Sequence, residues 1–278
     1  MINPVPPWQA LLVEEKNEIT LIVADLHLGF ENELVEMGIN IPSQTPKIQE
    51  KLVQIIKYTK PKRLIILGDL KHNVPKISLH EWEFIPRFFE NIQKVLLDVE
   101  IIPGNHDGNL ELLTPKTVRI LSPRGIVIGE KEKVALMHGH AWPSPELLGA
   151  DFLIIAHNHP TVHFIEPTGF RIIRQIWVKA DCDGKKLAES FLRYNGVKDR
   201  TDPIKQMEKK YGVKVRNPKL IMIPSFNETY GGLPINLLKK EKLLGPILRS
   251  GAVDMDAAEA YLLDGTFLGS IRQLRRIR

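Results

Sequence analysis

The sequence predicts an α/β fold of layered sheets flanked by helices. Strand and helix alternate over roughly the first hundred residues, and strands dominate after that. Five apolar strands each end in a cluster of Asp, His or Asn. In open α/β sheets, ligands bind beyond the carboxyl ends of the strands, so these clusters are expected to converge.

The elements follow in order. Residues 10–13 and 19–24 read as two strands, with the polar turn Glu15-Lys16-Asn17-Glu18 between them. The second is almost wholly apolar, as a strand buried on both faces should be, and ends in Asp25-Leu26-His27. A helix is predicted over 46–59, with Ile48, Leu52, Ile55 and Ile56 at helical spacing. Residues 63–67 are a strand ending in Gly68-Asp69, and 79–92 a helix. Residues 96–102 are a strand ending in Pro103-Gly104-Asn105-His106-Asp107.

Further strands are expected at 125–128, at 133–137 ending in His138-Gly139-His140, and at 152–156 ending in His157-Asn158-His159-Pro160. Strands at 161–165, 170–180 and 219–223 complete the middle of the chain, with a short amphipathic helix or loop at 202–211. In the tail, 236–248 reads as a helix and 251–259 as a turn and short helix. Asp264-Gly265 between 258–263 and 266–271 is a hairpin signal. No internal repeat or low-complexity segment is present.

The 278 residues, 43% hydrophobic and 26% charged, are enough to bury a sizeable core and are unlike a disordered chain. Cys182 is the single cysteine, which excludes an intrachain disulfide framework and a cysteine zinc cluster. Residues 1–8 hold no basic segment followed by an apolar run, and no apolar stretch approaches the ~20 residues of a membrane span. A cytoplasmic, membrane-free protein is the expectation. The net charge of +5 is uneven: residues 1–198 carry 23 basic and 24 acidic side chains, and residues 199–278 carry 15 and 9. The last third is therefore either a solvated basic face or a patch that attracts phosphate backbones.

The strand-end residues Asp25, His27, Asp69, Asn105, His106, His138, His157 and His159 mix carboxylate, amide and imidazole donors. Such a set suits divalent first-row metals such as manganese, iron or zinc, and lacks the thiolates of a closed structural zinc site. It is too large for one ion with open positions. Two ions sharing one carboxylate would use it, in the arrangement that clamps both oxygens of an in-line phosphoryl displacement. Six of the nine histidines sit in or beside these clusters; His72, His80 and His163 read as structural.

Taken in order, Asp25-Leu-His27, Gly68-Asp69, Gly104-Asn105-His106-Asp107, His138-Gly-His140 and His157-Asn-His159 resemble the five motifs of calcineurin-like metallophosphoesterases. Residues 24–29, 223–227 and Gly231-Gly232 are similar to a smaller group, the archaeal SbcD-related and bacterial DNA ligase-associated phosphoesterases. The resemblance implies a sandwich of two mixed β-sheets flanked by helices. It implies that Asp25, His27 and His159 hold one metal, that Asn105, His138 and His157 hold a second, and that Asp69 bridges both. His106 would face the substrate phosphate, oriented by a hydrogen bond to Asp107. His140 would lie beside the ligands or touch substrate. Ala156 stands where the last motif usually has Gly, a small-for-small change that loses no ligand.

The implied activity is hydrolysis of phosphodiester bonds in nucleic acids or nucleotides by a metal-bridging hydroxide. A small-molecule phosphomonoesterase is the alternative, and a non-catalytic module on the same fold the remote one. The implied cofactors are two divalent ions, manganese first, with iron, zinc, nickel or magnesium as substitutes. DNA or RNA would bind through the basic last third, and an ATPase, helicase or ligase partner would be a separate protein. The expected organisation is a catalytic domain over 1–238 and an extension over 239–278, a helix plus a β-hairpin.

Overall fold

The computed structural model describes residues 1–16, 18–165, 169–238 and 242–277. The chain forms two compact units: residues 1–123 with 225–231, and residues 124–224 with 232–278. Each holds one mixed sheet flanked by helices.

The first unit contains β1 (Ile2–Pro4), β2 (Leu11–Glu15), β3 (Glu18–Val23), α1 (Glu31–Glu36), α2 (Thr45–Thr59), β4 (Arg63–Leu67), α3 (Leu79–Gln93), β5 (Val99–Ile102) and β6 (Arg119–Ile120). Its six strands lie side by side in chain order. β1, β2 and β3 pair antiparallel, and β3, β4, β5 and β6 pair parallel. The apolar run of β3 is fully buried from Leu21 to Val23. Helix α2 buries Ile48, Leu52, Ile55 and Ile56, the stripe its spacing predicts. Helix α3 starts with a capping box: Glu81 N–H donates to Ser78 Oγ at 3.1 Å, and Ser78 N–H donates to Glu81 Oε2 at 2.7 Å. Its buried Ile85, Phe88, Phe89 and Ile92 join the core formed by β3, β4, β5 and α2.

The second unit contains β7 (Ile126–Ile128), β8 (Val134–Leu136), β9 (Phe152–Ile155), β10 (Pro160–Ile165), β11 (Arg171–Asp181), α4 (Gly184–Tyr194), α5 (Pro203–Tyr211), β12 (Lys219–Met222), β13 (Leu233–Pro234), α6 (Pro246–Arg249), β14 (Glu259–Leu262), β15 (Phe267–Ser270) and α7 (Ile271–Leu274). Its sheet runs β13-β10-β11-β12-β9-β8-β7, with β14 added against β11 and β15 against β14. The long β11 makes this possible: residues 171–175 pair with β10, and residues further along pair with β12 on one side and β14 on the other. A core around Ile176, Val178, Phe191, Leu220 and Met222 lies against α4, capped by Asp183, whose carboxylate accepts from Lys186 N–H at 3.0 Å.

Several expectations need correction. The strand expected from 96 begins at Val99, because Val95 and Leu96 N–H groups both close on the Ile92 carbonyl at 3.0 Å and extend the end of α3. The helix expected over 236–248 is a turn at 236–238 and the short α6. Gly245, at φ 87°, stands at the N-cap of α6, and residues 239–241, with the Lys239-Lys240 pair, lie outside the described residues, as does Asn17 of the first predicted turn. No helix forms over 251–259: Val253 bridges Cys182, and Asp256 N–H donates to the Asp254 carboxylate at 3.1 Å. The last strand stops at Ser270, whose side chain caps α7 with Gln273. The predicted hairpin is present as β14 and β15.

Candidate metal centre

In the first unit, three parallel neighbours β3, β4 and β5 deliver three polar loops to one edge of the sheet. The loops are laced together. Asp25 N–H donates to the Gly68 carbonyl at 3.1 Å, His27 N–H to the Asp69 carbonyl at 2.9 Å, and His106 N–H to Asp69 Oδ1 at 2.9 Å. His27 Nε2 lies 3.7 Å from Asp69 Oδ2. Asp25, His27 and Asp69 are buried. Gly104 permits this approach: a Cβ there would stand 2.1 Å from Asp69 Oδ1 and 2.5 Å from the Asp69 nitrogen.

The segment 225–231 returns to the same edge. Phe226 N–H donates to the Ala24 carbonyl at 2.8 Å, Ser225 Oγ–H to the Asp25 carbonyl at 2.9 Å, and Asn227 Nδ2–H to the Leu26 carbonyl at 3.0 Å. Tyr230 then lies with its ring centroid 4.2 Å from that of His27 and 5.1 Å from that of His72. Burial raises the Tyr230 phenol above its ordinary pKa, and the carboxylates of Glu33, Asp69 and Asp25 add to the effect.

His72, structural by its place in the sequence, lies within this cluster. His27, His72 and His106 offer ring nitrogens within 4.8 Å of one another. The signal was missed because His72 lies three residues past the strand-end Asp69, not in the strand-end cluster itself. Tyr230 carried no motif signal of its own. The expected hydrogen bond between Asp107 and His106 is replaced. His106 Nδ1 donates to the His72 carbonyl, while Asp107 accepts from Gly104 N–H at 2.9 Å and Lys71 N–H at 3.2 Å. Asp107 shapes the loop, and the His72 carbonyl holds the ring. Asn105 is exposed at the loop tip. His80 donates to or accepts from Ser43 Oγ at 2.9 Å and stacks on Phe84, outside this cluster.

In the second unit, the parallel β8 and β9 deliver His138-Gly139-His140 and His157-Asn158-His159. Ring centroids of His138 and His157 are 4.9 Å apart, and His140 lies 5.2 Å from His138. Ala156 N–H donates to the His138 carbonyl at 2.9 Å, so alanine serves at this turn. Asn158 is buried and is tied on both sides of its amide to the Leu244 backbone, at 2.9 and 3.2 Å. His159 is buried, and its carbonyl accepts from Leu233 N–H at 3.0 Å. His163 lies outside this group, on β10.

One backbone feature is common to both sets. Among the described residues, eight non-glycine residues have positive φ, and five of them are Asp25 (55°), His27 (44°), Asp69 (47°), His157 (69°) and His159 (40°). Left-handed backbone is costly for such residues and gathers at functional sites, where surrounding structure enforces it. The donor chemistry fits divalent ions in each unit separately. The first offers buried carboxylates beside imidazoles, and buried carboxylates require compensating positive charge. The second offers clustered imidazoles, the commonest neutral metal ligands.

The chain is similar to phosphodiesterase YfcE of Escherichia coli (strain K12), with 28% identity over 114 residues, 40% of this chain and 61% of that protein. Among solved structures, the Pseudomonas putida nuclease MPE aligns over 92% of this chain and 97% of its own, at 17% identity and TM-score 0.48. The phosphoesterase Yfce from E. coli aligns over 53% and 73%, at 20% identity and TM-score 0.35. No described helix is long and apolar enough to cross a membrane. The sequence model of the calcineurin-like phosphoesterases matches residues 20–215, which include all five strand-end clusters, and the chain belongs to that family.

Proposed function

We propose that this protein is a metal-dependent hydrolase of phosphodiester bonds, acting on nucleic acid or nucleotide substrates in the cytoplasm. The observation that carries the reading is the left-handed backbone at five of the residues expected to be ligands. The similarity to a protein named as a phosphodiesterase supports diester cleavage. The net charge of +6 over residues 199–278 supports a polyanionic substrate.

Asp25, His27 and His159 would hold one divalent ion, Asn105, His138 and His157 a second, and Asp69 would serve both, with manganese as the first choice. Bound there, the ions would neutralise phosphoryl charge and acidify water. His106, fixed through Nδ1 on the His72 carbonyl, has Nε2 left to steady the phosphoryl charge or to protonate the leaving oxygen. Asp107 positions the 104–107 loop through two backbone N–H groups. His140 would contact substrate. Residues 1–238 form the catalytic domain in this reading, and residues 239–278 an extension whose β14 completes the edge beside β11. An ATPase, helicase or ligase would join as a separate chain.

The test is hydrolysis of bis-p-nitrophenyl phosphate and p-nitrophenyl phosphate, each with Mn²⁺ and with EDTA, using Asp69→Asn as control. Diester cleavage that requires Mn²⁺ and disappears in the variant is the expected result. Faster monoester cleavage would replace the reading by a phosphomonoesterase. No activity and no bound metal would replace it by a non-catalytic module.

A further inference from the structure

We propose that Glu33 and His72 form a hydrogen-bond chain that fixes the tautomer of His27, a positioning role that rests on the metal-site reading above. His72 Nε2 lies 2.7 Å from Glu33 Oε2, and His72 Nδ1 lies 3.3 Å from His27 Nδ1. A carboxylate oxygen only accepts, so the proton between Glu33 and His72 sits on His72 Nε2. With that proton on Nε2, the His72 Nδ1 lone pair faces His27, and the proton on the second bond belongs to His27 Nδ1. His27 is left with its lone pair on Nε2, the nitrogen that faces Asp69 at 3.7 Å. If His72 donated instead, the His27 proton would move to Nε2 and a cation could not bind there. One direction of the chain alone is compatible with a metal on His27 Nε2.

The frame around the chain is built to hold it. Buried Glu81, which caps α3, also accepts the backbone N–H groups of His72 at 3.1 Å and Asn73 at 2.8 Å. His72 therefore has a fixed backbone, and its ring is set by Glu33 at one nitrogen and His27 at the other. Glu33 lies on α1, and its side chain is 48% exposed, so replacing it should leave the core undisturbed. Hydrogen-bond partners of this kind set the orientation and basicity of ligand imidazoles, and their loss typically weakens metal binding by about 10–100-fold.

The experiment compares the wild type with Glu33→Ala and Glu33→Gln, with urea unfolding used to confirm that each folds. Mn²⁺ affinity is measured by calorimetric titration, and histidine tautomers by ¹⁵N NMR of the metal-free protein. The expected outcome is a His27 proton on Nδ1 and a His72 proton on Nε2 in the wild type. Glu33→Ala should weaken Mn²⁺ binding by about 10–100-fold. Glu33→Gln, whose amide oxygen still accepts, should recover most of it. Unchanged affinity in Glu33→Ala, or equal losses in both variants, would overturn the chain. So would a His27 proton on Nε2. If the wild type bound no Mn²⁺, the site reading would fall, and the tautomer pattern would still decide for or against the chain.

Discussion

Lys51 Nζ donates to the Phe226 carbonyl at 2.8 Å, across 175 residues of sequence. The same ammonium lies 4.1 Å from the Phe226 ring centroid and bonds Glu228 Oε1 and Gln9 Oε1, each at 2.8 Å. It thereby ties α2 to the segment that holds Asp25 and carries Tyr230. Burial lowers the Lys51 pKa, and Glu228 works against that. Lys51→Met keeps the length that packs on the ring and removes the donor, so it should destabilise the protein by about 1–3 kcal/mol. Glu228→Gln should cost much less, because the Glu228 side chain is 54% exposed and its charge is screened. Urea midpoints of the two variants decide. Equal costs would mean that the ion pair, not the carbonyl bond, anchors the segment.

Gly104→Ala tests the approach of the β5 loop to Asp69. The added methyl would meet the Asp69 backbone nitrogen at 2.5 Å, and a backbone atom cannot swing aside as a side chain can. Asp69 must move. The expected loss is about 1–3 kcal/mol of stability, with weaker Mn²⁺ binding alongside. A variant with wild-type unfolding and wild-type Mn²⁺ affinity would show that the two loops are not in contact in solution.

His106→Ala should lower phosphodiester turnover by about 10²–10⁴-fold while bound manganese stays near the wild-type level. The reason is its attachment. Nδ1 is committed to the His72 carbonyl, so only Nε2 can serve the reaction. Elemental analysis beside turnover distinguishes the roles. If the metal is lost with the side chain, His106 is a ligand, as its place with His27 and His72 would then have to be read.

The strands that carry the two clusters, one in each unit, were legible because each is an apolar run followed within three residues by Asp, His or Asn; β3, β4, β5, β8 and β9 all read this way. Helices α2 and α3 were legible from their apolar spacing. Helix α4 was readable and went unread: Leu187, Ala188, Phe191 and Leu192 form a helical stripe after the cap Asp183. Helix α1 was not readable, since its six residues offer no such period. His72 was beyond reach for a different reason. Its partners Glu33 and His27 lie 39 and 45 residues away; the pairing of β3 with β4, continued by the Leu28–Lys71 bridge, brings His27 beside it, and α1 supplies Glu33. Asp107 shows the limit of motif reasoning. The residue next to His106 was expected to orient it, and a backbone carbonyl 34 residues distant does so.

Cys182 supplies a prediction independent of the metal centre. It sits at 1% exposure among Leu187 and Val253, and its N–H donates to the Pro218 carbonyl at 3.1 Å. Burial, with a smaller contribution from the Asp183 charge, pushes its thiol up to about 12 from an ordinary 9.0. The thiolate is the reactive form, so the folded protein should resist iodoacetamide at pH 8 and react promptly in urea. The raised value also fixes a sign. Folding favours the protonated thiol, so its contribution is fully present below pH 9 and is lost as pH rises from there toward 12. Cys182→Ala should flatten the fall in stability over that window. Rapid native labelling at pH 8, or an unchanged alkaline slope in the variant, would mean that this part of the second core opens far more readily than its packing implies.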